Sequence, residues 1–378
     1  MGYGRRFKLA AVLLLTACVT TGCIRSKVLE RLGLVIASGF DEVPGDKIMG
    51  TSVLYEIDPQ AREKSNVISS TAYTLKGPRT NMNYESRKKL ASGQLRVMVY
   101  HEDLARKGLI ELVDTLSRDP DIGTGIYLTV TKGKAFDLFT RRYPEIANIG
   151  NYLFQSIKQN VESEAMVSPI LHEFMRDYYD PGQDPVLPYI EQHGNEIIIN
   201  GAALFAADRM VDTLPMSRLF YLRLIRDRFR SGYLEVGLPA APFAEYAAQP
   251  KNQDRIYLVL DNIISNSRIE LVGANPPTYR VEIRIRSRLQ EQSVQLPLED
   301  PRVIRTLEQQ AADEIKNISM DLIKQTQKLN VDPFGFGNKY RAHVRGSGLT
   351  KDKWRELYPA AKFNLKVKVK ILRTGQTD

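Results

Sequence analysis

The residues able to do chemistry in this chain are few, and their spacing excludes more than it offers. Cys18 and Cys23 are the only thiols. Both stand near the N-terminus, so the folded body beyond them holds neither a disulfide nor a thiolate metal site. The histidines are His101, His172, His193 and His343, and no two have the i, i+4 spacing that sets two imidazoles around zinc on one helix face. His172-Glu173 leads to Arg176, not to a second histidine. Gly346-Ser347-Gly348 lacks the glycine placement of a nucleophile elbow. Gly335-Phe336-Gly337 lacks the final glycine of a dinucleotide loop and lies on the wrong side of a helix. Because Asp332-Pro333 stops that helix, those glycines are expected to supply positive φ in a turn. With no Walker motif, no paired-acid constellation and no cysteine nucleophile, we expect no enzyme, no metal and no cofactor.

What remains for the cysteines is acylation. Arg5, Arg6 and Lys8 precede Leu9-Ala10-Ala11-Val12-Leu13-Leu14-Leu15, a basic region and an apolar run too short to span a bilayer. Residues 1–22 therefore read as a signal peptide. Leu15-Thr16-Ala17-Cys18 carries the leucine three before cysteine of a lipobox, and Thr20-Thr21-Gly22-Cys23 carries its glycine directly before cysteine. Either thiol fits as the lipidated one, and the local motif favours Cys18.

The remaining composition is that of a globular protein: 378 residues, 43% apolar and 26% charged, with room for two or three domains. The net charge is +9. The leader holds only three of its cations, so the body stays basic and weak attraction to an anionic membrane surface is allowed.

Periodicity supplies the elements that must carry these residues. Residues 95–100 read as a strand. Leu104, Leu109, Leu112, Val113 and Leu116 mark one face of a helix that Asp119-Pro120 stops, and residues 126–130 are a second strand. The unit is βαβ, with its helix over one face of a sheet. Upstream, residues 33–40 and 47–56 form a hairpin around Val43-Pro44-Gly45-Asp46, preceded by a short helix capped by Ser26 and followed by a strand at 66–75. Downstream, helices are expected at 133–139, 146–161 and around Leu171, Phe174, Met175 and Tyr178. Three prolines make 180–188 a rigid connector into a hairpin of 186–191 with 196–204, and a helix follows at 216–228. The small, proline-containing stretch 238–250 marks a boundary between an N-terminal region, 23–238, of two lobes and a C-terminal domain, 250–374.

That domain opens with strands at 257–264 and 268–272. Tyr279, Val281, Ile283 and Ile285 then alternate with Arg280, Glu282, Arg284 and Arg286. Phe363, Leu365, Val367, Val369 and Ile371 alternate with Asn364, Lys366, Lys368 and Lys370. Such strands put one face on a core and one in water. Between them, Asp300 caps a helix over 301–329 that would be about 44 Å long. The fold class is α+β: multi-lobed mixed sheets with packed helices, and a C-terminal antiparallel sheet carrying one long helix. The basic stripes form either a solvated, charge-guarded edge or, if they share a face, a contact for a partner or anionic lipid. Arg284, Arg286, Lys366 and Lys368 are the candidates. Nucleic acid fits poorly with a secreted, lipid-anchored chain.

Gln94-Leu95-Arg96-Val97-Met98-Val99, Leu104-Ala105-Arg106-Lys107-Gly108-Leu109 and Ser117-Arg118-Asp119-Pro120-Asp121-Ile122 carry a resemblance. So do Asp180-Pro181-Gly182-Gln183-Asp184-Pro185-Val186-Leu187-Pro188, Gly201-Ala202-Ala203-Leu204-Phe205 and Asp332-Pro333-Phe334-Gly335-Phe336-Gly337. In this order they resemble the Ger(x)C family, the lipoprotein C subunits of nutrient receptors in spore-forming bacteria. The resemblance implies a non-enzymatic subunit, lipid-anchored on the extracytoplasmic face of the inner spore membrane. It also implies A and B membrane subunits as partners and a role in nutrient-triggered germination. Family spacing puts the lipid on Cys23, with Cys18 the alternative. Ile24-Arg25 stands where the family has Trp-Asp, and Gly93-Gln94 where it has Gly-His, so any role of that histidine is absent. A rival reading is a solute-binding lipoprotein of a transporter, whose mark would be one ligand cleft between two similar α/β lobes.

Overall fold

The first sheet grows from β1 (Leu32–Val43), in which every second residue from Gly33 to Asp41 is buried. The structure, a computed structural model, describes residues 32–55, 65–246 and 254–374. The helix expected after Ser26 lies outside the described residues, as do Cys18 and Cys23. β1 turns through Gly45 and Asp46, at φ 83° and 54°, into antiparallel β2 (Lys47–Tyr55), which pairs with β3 (Ser65–Ala72). On the other side of β1 run β4 (Lys89–Ala91) and β5 (Val97–His101), both parallel to it. The sheet continues through β6 (Tyr127–Thr131), β7 (Val186–His193), β8 (Glu196–Ala206) and β9 (Arg209–Pro215).

β5 and β6 pair in parallel, so the βαβ unit read from the sequence stands. Its helix does not. The chain forms α2 (Glu102–Lys107) and α3 (Ile110–Ser117), after α1 (Gly77–Glu85), and breaks between them at Gly108, where φ is 131°. Asp208 fills the break: its carbonyl accepts from Leu109 N at 3.0 Å and its Oδ2 from Ile110 N at 3.2 Å. The apolar spacing runs on across the break and hides it.

One face of the nine-stranded sheet packs Met98, Tyr100, Leu128 and Leu187 against α1, α2, α3 and a later helix at Leu171–Tyr179. The other face carries Val97, Val99, Ile190 and Leu204 against α4 (Ala135–Thr140) and α5 (Ile149–Glu162). The helix at Leu171–Tyr179 is α6. α7 (Met216–Arg226) is buried on every side from Leu219 to Ile225, as expected of a helix held within a core. It touches both β8 and β11 (Arg255–Ala274), so it joins the two sheets.

The second sheet is ordered β10 (Gly232–Pro239), β11, β12 (Pro277–Gln292), β13 (Lys362–Thr374). β10, ahead of the proline-containing stretch, pairs with β11 and so belongs to this sheet by hydrogen bonding. The strands read at 257–264 and 268–272 are one long strand with an irregularity between Asp261 and Ile264, where Asn262 takes φ 49°. β10, β11 and β12 are antiparallel, but β13 is parallel to β12, so the sheet is mixed and not wholly antiparallel. The cause is α8 (Pro301–Leu329), which carries the chain back along the sheet before β13 begins, a crossover where a hairpin would have reversed the strand. Asp300 caps α8 by accepting from Arg302 N at 2.8 Å, and Asn330 ends it in the left-handed region. α9 (Phe336–His343) and α10 (Lys351–Leu357) fill the return.

Candidate interaction surfaces

The two segments that proline and glycine mark as irregular, 180–188 and 332–337, meet at the seam between the sheets. Asp184 N donates to Asp332 O, and Asp332 N donates to Asp184 Oδ2, both at 2.8 Å. The backbones touch: a Cβ on Gly337 would lie 2.5 Å from Gly182 Cα, and one on Gly182 would lie 2.3 Å from Asn338 N. Glycine is required at both positions by close approach, while Gly335, at φ 79°, takes the left-handed turn.

Asp332 is fully buried at the centre of this seam. Its Oδ1 accepts from Phe334 N at 3.1 Å and Gly335 N at 3.0 Å, and its Oδ2 from Gly337 N at 2.9 Å and Trp354 Nε1 at 3.1 Å. Burial pushes its pKa up to about 7, against the backbone donors that favour the ionised form, while the neighbouring Asp184 also raises it. Asp184 accepts from Ala207 N at 3.0 Å and pairs with Arg355. The acceptors of both carboxylates face donors of the protein itself, which describes a structural joint and not a general base awaiting a substrate.

The second surface is open. Arg280, Arg284, Arg286 and Arg288 on β12, and Lys366, Lys368 and Lys370 on β13, are all exposed. The residues between them, Tyr279, Val281, Ile283, Leu365 and Val369 among them, are buried in the core shared with α8. Register sets Arg284 beside Lys368 and Arg286 beside Lys370, so both stripes share one face. Glu270 balances Arg268 and Arg280, at 2.6 and 3.5 Å, and Glu282 lies 3.4 Å from Arg284. The Arg288 guanidinium holds the Asp261 carboxyl below its usual range. Lys370 reaches Glu308 at 3.1 Å. Arg286, Lys366 and Lys368 form no ion pair with a described residue. A groove of about 470 Å³ runs along this face beside Arg284, Arg286 and Lys368, with Ile264, 44% exposed, at its side. Neighbouring strands stand about 4.8 Å apart, so the like charges repel until an anion lies across them.

The structure thus brings Arg284, Arg286, Lys366 and Lys368 together, while Cys18 and Cys23 lie outside the described residues. The histidines stay apart: His193 meets Glu191 at 3.1 Å, and His343 Nδ1 faces Lys339 O at 2.8 Å. Among the described residues, no group of three or more His, Cys, Asp or Glu could hold a metal ion, and no helix is long and apolar enough to cross a membrane. Sequence reasoning missed the Asp184–Asp332 joint. Its only signal was the Asp-Pro pair at each of the two positions, which reads locally as a chain break.

Two family models match in tandem, "Spore germination protein N-terminal domain" over residues 25–192 and "Spore germination B3/GerAC like, C-terminal" over 200–375. The chain is 27% identical over 368 residues to the spore germination protein GerQC of Bacillus cereus, covering 97% of this chain and 99% of that one. Its fold is similar to that in the crystal structure of the GerBC protein, with a TM-score of 0.57 at 14% identity over 89% of this chain and 98% of the other. The segments that meet at the seam fall one in each matched region, so the joint welds the two halves into one body. The chain belongs to the Ger(x)C family of spore germination proteins.

Proposed function

We propose that this protein is the lipid-anchored, non-enzymatic C subunit of a spore germinant receptor. An acylated cysteine, Cys23 or alternatively Cys18, holds it on the extracytoplasmic face of the inner spore membrane. There it docks on the A and B membrane subunits and supports nutrient-triggered germination. The observation that carries the docking is the basic outer face of the second sheet, where Arg286, Lys366 and Lys368 stand exposed without a described anionic partner. One acyl chain binds a membrane only marginally, but lipoproteins of this kind carry at least two. Anchoring therefore needs no help from the stripes, and Arg284, Arg286, Lys366 and Lys368 are left for an acidic surface on a partner. Such complementarity sets orientation and association rate more than affinity.

The solute-binding reading fits less well, because its two lobes would be alike, whereas here one sheet has nine strands and the other four. Co-purification from spore membranes with this chain as bait tests the proposal. The A and B subunits should be recovered with it, and their absence would contradict it. Mass spectrometry of the N-terminal peptide separates Cys23 from Cys18. C23A, or the double variant with C18A, should release the protein from the membrane and lower germination.

A further inference from the structure

A cleft of about 570 Å³ opens at the seam, between the turn after α5, α6, the end of α7 and the segment around Asn338. Its size is ordinary for a small-molecule site. Three guanidinium groups line it and share two carboxylates. Asp177 serves Arg176 at 2.8 Å and Arg226 at 3.1 Å, while Asp227 meets Arg223 at 3.5 Å and Arg226 at 4.0 Å. Arg223 is the residue left short. It is only 9% exposed, it lies 4.9 Å from the centre of the Phe229 ring, and its Nη1 is buried without a hydrogen-bond partner. A buried guanidinium donor without an acceptor is costly to keep. Asn338, lining the same cleft, donates through Nδ2 to Gln183 Oε1 at 3.2 Å, but its Oδ1 is buried and has no donor. Glu173 and Lys339 stand at the same cleft.

We propose that this cleft binds a small, singly charged carboxylate that carries a hydroxyl or amino group beside the carboxylate. The carboxylate draws Arg223 Nη1 out of the wall and takes its hydrogen bond, as guanidinium forks do with planar anions. The ligand's own donor goes to Asn338 Oδ1. Glu173 and Asp227 disfavour a doubly charged anion such as phosphate. The inference stands apart from the docking role, which uses the outer sheet face and not the seam.

The test is a calorimetric titration of the whole chain, purified in detergent, with glycolate, acetate and inorganic phosphate at constant ionic strength. Glycolate should bind saturably, acetate more weakly because it cannot donate to Asn338, and phosphate more weakly than glycolate. R223Q should weaken glycolate roughly tenfold or more, while R286Q on the outer face should leave it unchanged. If R223Q does not fold, K339E at the exposed mouth carries the same test and should weaken glycolate severalfold. Absence of saturable glycolate binding overturns the inference. So does binding that R223Q or K339E leaves intact, or tighter binding of phosphate.

Discussion

The seam and the outer face of the second sheet both turn on charged residues and do opposite things with them. At the seam, Asp332 and Asp184 are buried and meet backbone N–H groups, an indole and Arg355 in fixed geometry. On the outer face, arginines and lysines stand in water in register, and several have no described counter-charge. A polar group closed off from water and fully paired specifies one arrangement, and removing its partner is expensive. A charge in water contributes little to stability and is available for association. Stability should therefore answer to the seam, and assembly to the open face.

The largest expected effect is at Asp332. D332A strips the acceptor from Phe334 N, Gly335 N, Gly337 N and Trp354 Nε1. Urea unfolding should show a loss of about 3–5 kcal/mol. A loss under 1 kcal/mol would mean that the seam is not a joint. G337A comes next, because its methyl group would meet Gly182 and drive the segments apart. A loss on the order of 3 kcal/mol is expected, and little change would show that the seam gives way easily.

Asp332 also predicts a pH dependence. Burial raises its pKa from 3.8 unfolded to about 7 folded. Its contribution is thus present below about pH 4 and lost as the pH rises through 7. D332N removes the titration but places an amide N–H₂ against backbone donors, so the variant is weaker throughout. The gap between wild type and D332N should be wider at pH 5 than at pH 8.5, by on the order of 2–3 kcal/mol. An equal gap at both pH values would place the folded pKa near its unfolded value.

The smallest effect belongs to the open face. K368E sets a carboxylate beside Arg284. It should leave the urea midpoint unchanged or raise stability by about 0.5 kcal/mol. A loss above 2 kcal/mol would show that the stripe is part of the fold.

The open face was legible in the sequence and the seam was not. Strict alternation from Tyr279 to Arg286 and from Phe363 to Lys370 fixes which side chains reach water, and the 29-residue helix α8 repeats its apolar stripe long enough to leave no other reading. That both stripes share one face followed only once β13 was seen to pair with β12. The joint escapes any local reading, since Asp332 meets Asp184 across 148 residues and each looks like the end of an element beside its proline. The break at Gly108 is hidden likewise, because the group that fills it, Asp208, comes from the turn before β9. Arg223 offered no signal either: an arginine in an apolar helix looks like its exposed side, yet here it is 9% exposed with its guanidinium over the Phe229 ring.

The most direct test of the central claim is quantitative recovery of the A and B subunits from spore membranes with wild type as bait, against the charge reversal R284E/R286E/K366E/K368E. The account predicts that the variant stays in the membrane fraction with its cysteine lipidated and keeps wild-type stability to within about 1 kcal/mol. Partner recovery should fall severalfold. A lipidated variant found in the soluble fraction would make the stripes membrane contacts, and undiminished recovery of both subunits would place the docking surface elsewhere.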